Sequence, residues 1–92
     1  MKYFAWNEEK NEQLKLERSV SFEEVITELN EGRILEQSRH PDQNKYPNQQ
    51  IYIIKLDNYC YVVPFVEDDE KIFLKTIIPS RIATKKYLIN KS

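Results

Sequence analysis

The 92-residue chain holds one glycine, one cysteine and one histidine, and each scarcity excludes a kind of chemistry. A single glycine, Gly32, leaves no glycine-rich loop to cradle phosphate, which excludes nucleotide-binding enzymes of the P-loop and Rossmann kinds. Cys60 alone cannot close an internal disulfide, and one cysteine with one histidine cannot assemble a zinc site of the usual composition. No stretch approaches the roughly 20 apolar residues that a membrane helix needs. The N-terminal residues turn acidic at Glu8 and Glu9 before any apolar run develops. No secretory signal is therefore expected, and the expected location is cytoplasmic.

What is present points to one globular domain over residues 1–92. Hydrophobic residues make up 40% and aromatic residues 12%, enough to build a core and to argue against intrinsic disorder. The core should be thin, because a chain this short buries only about two-thirds of its unfolded surface. Charged residues reach 32%, yet 14 Lys and Arg nearly cancel 15 Asp and Glu to leave a net charge of −1. That total hides a strong asymmetry. Residues 1–38 and 39–70 are both net acidic, whereas residues 71–92 carry Lys71, Lys75, Arg81, Lys85, Lys86 and Lys91 with no acid at all. An acid-free basic segment of this kind suits an anionic partner, or else forms a solvated face.

Tyr3 to Trp6 reads as a short aromatic strand. Asn7 looks like an N-cap with Glu8 and Glu9 in the first turn, and predicts a polar helix to about Glu17. Ser21-Phe22-Glu23-Glu24 forms a capping box, with Val20 and Val25 placed as its hydrophobic staple. Phe22, Val25, Ile26 and Leu29 then make a core-facing stripe, and Gly32 sits where a left-handed C-cap belongs. A strand over 33–38 leads into a polar loop with two prolines, 39–49. Ile51–Leu56 and Tyr59–Phe65 read as a hairpin through Asp57-Asn58, with Tyr52, Ile54 and Leu56 sharing a face with Tyr59, Tyr61 and Val63. After an acidic turn, 67–70, which reads as a solvated connector rather than a metal site, a last strand over 71–78 and a helix opened by Pro79-Ser80 complete the chain. Ile82, Ala83 and Ile89 are the residues expected to pack that helix inward. The fold class is α+β: a small antiparallel sheet with two N-terminal helices and a C-terminal helix.

The chemistry-bearing residues gather in two places. His40, Lys45 and Tyr46 share the polar loop, and Arg81, Lys85, Lys86 and Tyr87 share the basic C-terminal segment. Cleaving a phosphodiester without a metal needs an acid, a base and cations around the phosphoryl group. His40 titrates in the right range to be acid or base, and Arg81 suits a bidentate phosphate clamp. Lys45, Lys85 and Lys86 add charge, and Tyr46 or Tyr87 can stack on a base or supply a proton. Arg18 and Arg39 extend the set of expected RNA contacts. The opposing readings are plain: a lone histidine on the surface is often inert, and Tyr46 beside Pro47 can simply anchor its loop. Arg81 is poorly placed for the helix dipole, so either a ligand or a neighbouring carboxylate would account for it. Cys60, mid-strand among tyrosines, reads as packing, and Trp6 as core.

Three segments also resemble a known family. Phe4-Ala5-Trp6-Asn7-Glu8-Glu9-Lys10 is similar to the opening F-x-W-D-x-x-K of the BrnT family of bacterial toxins. Val20-Ser21-Phe22-Glu23-Glu24-Val25 resembles its G-V-S-F-E-E-A at the same distance from the tryptophan. Ile77-Ile78-Pro79-Ser80-Arg81-Ile82-Ala83-Thr84-Lys85-Lys86 resembles its I-I-S-A-R-x-A-T-x-x. The resemblance implies a RelE-like fold and the toxin of a type II toxin–antitoxin pair: a small ribonuclease that arrests translation, without cofactor, and is covered by a cognate antitoxin in a hetero-oligomer. The C-terminal arginine of the family falls on Arg81. Its Lys-His pair falls on Glu17-Arg18, so either His40 substitutes from a different loop or the chain has lost or changed the family activity. The loop from His40 to Gln49 also departs from the family pattern, which marks a distinct branch. A separate reading keeps the fold without the chemistry, as a protein that binds an acidic partner through residues 71–92.

Overall fold

Helix α1 (Glu8–Arg18) begins where Asn7, in extended conformation, accepts the Lys10 N–H on its side chain, and it stops at Ser19, which adopts a left-handed φ of 57°. Two residues later Ser21 caps α2 (Phe22–Asn30) by accepting the Glu24 N–H at 3.2 Å. The expected capping box closes in a modified form, with the Ser21 hydroxyl donating to the Glu24 carboxylate. Val20 and Val25 are both buried, as a staple requires. Gly32, at φ 73°, turns the chain out of α2: its N–H donates to Leu29 and that of Arg33 to Glu28, the paired bonds of a Schellman stop. The computed structural model describes residues 2–89.

One buried polar side chain joins the two helices. Asn11 is fully buried on an otherwise polar α1, and its Oδ1 accepts the Phe22 N–H at 2.8 Å. That N–H belongs to the first turn of α2 and has no partner within its own helix. The Asn11 amide in turn donates to Glu8 and Glu23 at 3.2 and 2.9 Å.

The strands are β1 (Tyr3–Ala5), β2 (Glu36–Arg39), β3 (Gln50–Leu56), β4 (Tyr59–Glu67), β5 (Lys71–Leu74) and β6 (Ile78–Pro79). They form one sheet in the order β1-β5-β4-β3-β2, with β6 also paired to β4. The β3–β4 hairpin turns at Asp57, which takes a φ of 58°. Its register places Tyr52 opposite Val63, Ile54 opposite Tyr61 and Leu56 opposite Tyr59, as the alternation of the sequence requires. Every pairing is antiparallel except that of β1 with β5.

The expected continuous strand over 71–78 is instead two short ones. Both pair with β4, β5 against Phe65–Glu67 and β6 against Tyr61–Val62. Pro64 lies between the two pairings. It accepts the Lys75 N–H on its carbonyl but has no N–H of its own to give on that side, so the ladder breaks there.

Helices cover both sheet faces. Leu14, Phe22 and Val25 pack with Tyr52, Ile54, Val63, Phe65 and Leu74 into the main core, against which Trp6 and Phe4 rest. Burying side chains of this size contributes about 1.5–3 kcal/mol each. The opposite face carries a smaller cluster of Ile51, Ile53, Cys60 and Ala83 with Val62, Tyr87 and Leu88 packed around it. There the C-terminal helix α3 (Arg81–Thr84), capped by Ser80, continues as a π-helical turn over Lys85–Ile89. Of the three residues expected to face inward, only Ala83 does. Ala83 and Thr84 are buried, whereas Ile82 is 82% exposed and Ile89 66%. The small residues win because Thr84 accepts the buried Cys60 N–H at 2.9 Å, which brings the helix too close to the sheet for a bulkier side chain.

Candidate nucleic-acid interface

The α3-bearing face of the sheet collects most of the chemistry. Strand β2 alternates, so Glu36 and Ser38, opposite Ile53 and Ile51, lie on this face. His40 extends the ladder by one step, donating its N–H to Gln49 at 2.9 Å, and alternation places it on the same side.

The loop from His40 to Gln49 is organised by its own bonds. Asp42 donates its backbone N–H to Nδ1 of His40 at 3.0 Å, and its carbonyl accepts from Tyr46 at 2.9 Å. Gln43 donates to the His40 carbonyl at 2.6 Å and accepts from Arg39 at 3.0 Å. These bonds bring the His40 ring against Tyr46 with centroids 4.4 Å apart and the planes tilted by 39°, and Lys45 sits 5.4 Å from the Tyr46 centroid. Because Nδ1 accepts, the hydrogen-bond geometry assigns the ring proton to Nε2. His40 thus presents a donor outward. It cannot take a proton on Nδ1 without breaking its bond to Asp42. A hollow of about 350 Å³ lined by Arg39, Gln43, Asn48, Gln49 and Gln50 flanks the loop.

A second cluster sits two turns of the pleat away. Tyr87 donates its hydroxyl to Oε1 of Glu36 at 2.6 Å, Ser38 donates to Oε2 at 3.0 Å, and the Lys86 ammonium stands 3.8 Å from Oε1. The bonds from Tyr87 and then Ser38 hold the Glu36 carboxyl below the usual carboxylate range. The same carboxylate raises the Tyr87 phenol above its ordinary value. Lys86 also lies 5.1 Å from the Tyr87 ring centroid. Glu36 was not among the residues expected from the sequence. The available signal was the i, i+2, i+4 spacing of Glu36, Ser38 and His40, which is one face of a strand.

Sequence expectation and structure part company at two arginines. Arg81 is exposed at the start of α3, where Ser80 donates to the Cys60 carbonyl and Cys60 lies opposite Lys55. His40 lies level with Gln49. Six residues of strand separate the two levels, about 20 Å at ~3.3 Å per residue. The two positions, paired in the sequence expectation, are therefore not brought together. Arg18 lies with the N-terminal helices, on the other side of the sheet, and donates to the Ile77 carbonyl at 2.6 Å. It is a structural tie between α1 and the link from β5 to β6, remote from the loop. Lys45, Tyr46 and Arg39 do gather around His40, and Lys86 and Tyr87 gather around Glu36, with Lys85 exposed on the same turn.

Cys60 is fully buried, and burial pushes its thiol up, away from a reactive thiolate. Among the described residues, no group of three or more His, Cys, Asp or Glu side chains is placed to hold a metal ion, and no helix is long and apolar enough to cross a membrane. No family model, curated protein or solved structure matches the chain.

Proposed function

We propose that the chain is the toxin of a type II toxin–antitoxin pair: a cytoplasmic, RelE-like, metal-independent ribonuclease, neutralised by an antitoxin that covers its active surface. The observation that carries this reading is the gathering of two donor clusters on one sheet face. His40, Lys45 and Tyr46 stand at one end, and Lys86 and Tyr87 at the other. The His40 and Glu36 positions are four residues apart on one strand, about 13 Å at ~3.3 Å per residue. A single RNA strand laid across this face would meet a stacking ring and a cation at each end. The residues of the family-like segments support the reading in another way. Trp6, Asn7, Ser21, Phe22, Val25, Ala83 and Thr84 form the caps and packing contacts that set the helices against the sheet.

The test is direct. Purified protein incubated with single-stranded RNA in EDTA should cut it, and induced expression should arrest growth until the antitoxin is co-expressed. Intact RNA together with unimpaired growth, with and without ribosomes present, rules the reading out.

A second reading drops the chemistry and keeps a binding surface for an acidic protein. The outward Ile82 and Ile89 beside exposed Lys85 favour it, since apolar side chains so exposed on a basic helix suit a partner. Binding separates the two: RNA affinity that falls steeply with ionic strength supports the first, and tight binding to a protein partner with no measurable RNA affinity supports the second.

A further inference from the structure

The geometry points to Glu36 as the proton acceptor in strand cleavage and to Lys86 as the proton donor, with the His40 loop serving to hold the RNA. This rests on the ribonuclease reading above and names which of its two clusters performs the chemistry.

A base for 2′-hydroxyl attack must be an unprotonated acceptor facing the substrate. His40 fits this role less well, since its Nδ1 already accepts the Asp42 N–H. Glu36 meets the requirement. It lies on the RNA-facing side of β2 with its side chain 35% exposed, so part of the carboxylate is open to a ligand. Tyr87 and Ser38 each donate one bond to a separate oxygen, which fixes the group in place and leaves lone pairs free on both. These same bonds hold its carboxyl below the usual carboxylate range. Lys86 stands 3.8 Å away and brings a proton and a positive charge to the phosphoryl group.

The step balances without any other reactant. The ribose 2′-oxygen forms a bond to phosphorus while its proton passes to Glu36. The bond from phosphorus to the 5′-oxygen breaks, its electron pair stays on that oxygen, and the oxygen takes a proton from the Lys86 ammonium. The products are a 2′,3′-cyclic phosphate and a 5′-hydroxyl end. Solvent then returns Glu36 and Lys86 to their starting states.

Glu36 also ties the last turn to β2, so a loss of fold must be kept apart from a loss of base. Glu36→Gln retains an acceptor oxygen for Tyr87, turns the oxygen facing Ser38 into an amide nitrogen, and removes the charge and basicity. Tyr87→Phe does the reverse, removing the tie and keeping the carboxylate. With a fluorescent single-stranded RNA in EDTA, Glu36→Gln should lower kcat about 100-fold or more, the range of general-base catalysis. Its RNA affinity should stay within about threefold of the wild type. Tyr87→Phe should lower the melting temperature and cost less in kcat than Glu36→Gln, since it loosens the carboxylate without removing it. His40→Ala should raise KM more than it lowers kcat. RNA with a single 2′-deoxy substitution at the cut should resist the wild type. If the wild type cuts and Glu36→Gln cuts equally well, or His40→Ala loses kcat instead, the assignment is wrong while the ribonuclease reading stands. If the wild type cuts no RNA, both fall.

Discussion

Asn11 Oδ1 accepts the Phe22 N–H at 2.8 Å, so a fully buried amide on one helix caps the first turn of the next. The same amide donates to Glu8 and Glu23. Asn11→Ala leaves the Phe22 N–H buried and unpaired, which costs about 1–3 kcal/mol beyond the bonds lost. Urea denaturation should show the midpoint falling with little change in slope. An unchanged midpoint would mean that water reaches that N–H.

The distance of Arg18 and Arg81 from the His40 loop has a binding consequence. Lys86→Ala should weaken RNA binding and reduce the salt slope by about one unit, as expected for loss of one phosphate contact. Arg18→Ala and Arg81→Ala should leave both affinity and slope nearly unchanged. Arg18→Ala should still lose about 1–2 kcal/mol of stability through its bond to Ile77. Titrations at three salt concentrations decide the matter, and a large affinity loss at Arg81 would move the interface toward the start of α3.

Stability should fall in acid. Glu23, Glu28, Glu36 and Asp68 all have carboxyls held below their ordinary range, chiefly by hydrogen bonds from Asn11, Arg33, Tyr87 and the Glu70 backbone respectively. A carboxyl depressed in the folded state stabilises it fully above the unfolded-state value and loses that contribution as pH drops through the folded one. Denaturation midpoints should therefore hold steady from pH 7 to pH 5 and decline steadily below the ordinary carboxylate range. A midpoint that rises over that lower range would contradict the signs of these shifts.

Tyr87 should behave oppositely, because its phenol is raised by the Glu36 carboxylate. Its contribution is complete below the ordinary phenol value and disappears as pH climbs through the raised one. Absorbance titration of tyrosinate should lose a late-titrating component in Tyr87→Phe. Burial raises Tyr52 and Tyr61 as well, so a late component should persist at reduced amplitude.

Cys60 should be inert to alkylating reagents in the native protein and react fully once denatured. It is completely buried, its N–H is taken by Thr84, and burial raises its thiol. Fast labelling of the native state would show that α3 lifts readily from the sheet.

The elements legible in the sequence were those whose signals are local. Asn7, Ser21 and Gly32 each name a helix boundary by short-range chemistry, and the hairpin register follows from alternation around Asp57. Non-local choices were not legible. Nothing in Tyr3–Ala5 specifies that β5 will be its partner or that the pairing will be parallel. The consequence of Pro64 depends on which side of β4 its nitrogen faces. Hydrophobicity favours Ile82 and Ile89 beside Ala83 on the inward side of α3, whereas close approach over Cys60 keeps Ala83, adds Thr84 and leaves both isoleucines outside. The same distinction governs the site. The His40 loop was visible from its residue types and nearness in the chain, Arg81 was assigned to it without knowledge of the strand register, and Glu36 became visible only when Tyr87 arrived beside it from the far end of the chain.

The pairing of β1 with β5 also orders events in time. Tyr3 bonds to Glu70, and Lys2 to Glu67 across 65 residues of chain. Contacts this distant in sequence are slow to form, and a chain emerging from the ribosome cannot form them at all until residue 71 is outside. The N-terminal strand must wait while the helices and the central hairpin are already available to fold. The β1 edge of the sheet therefore closes only after β5 is available, and a surface that depends on that edge waits for it.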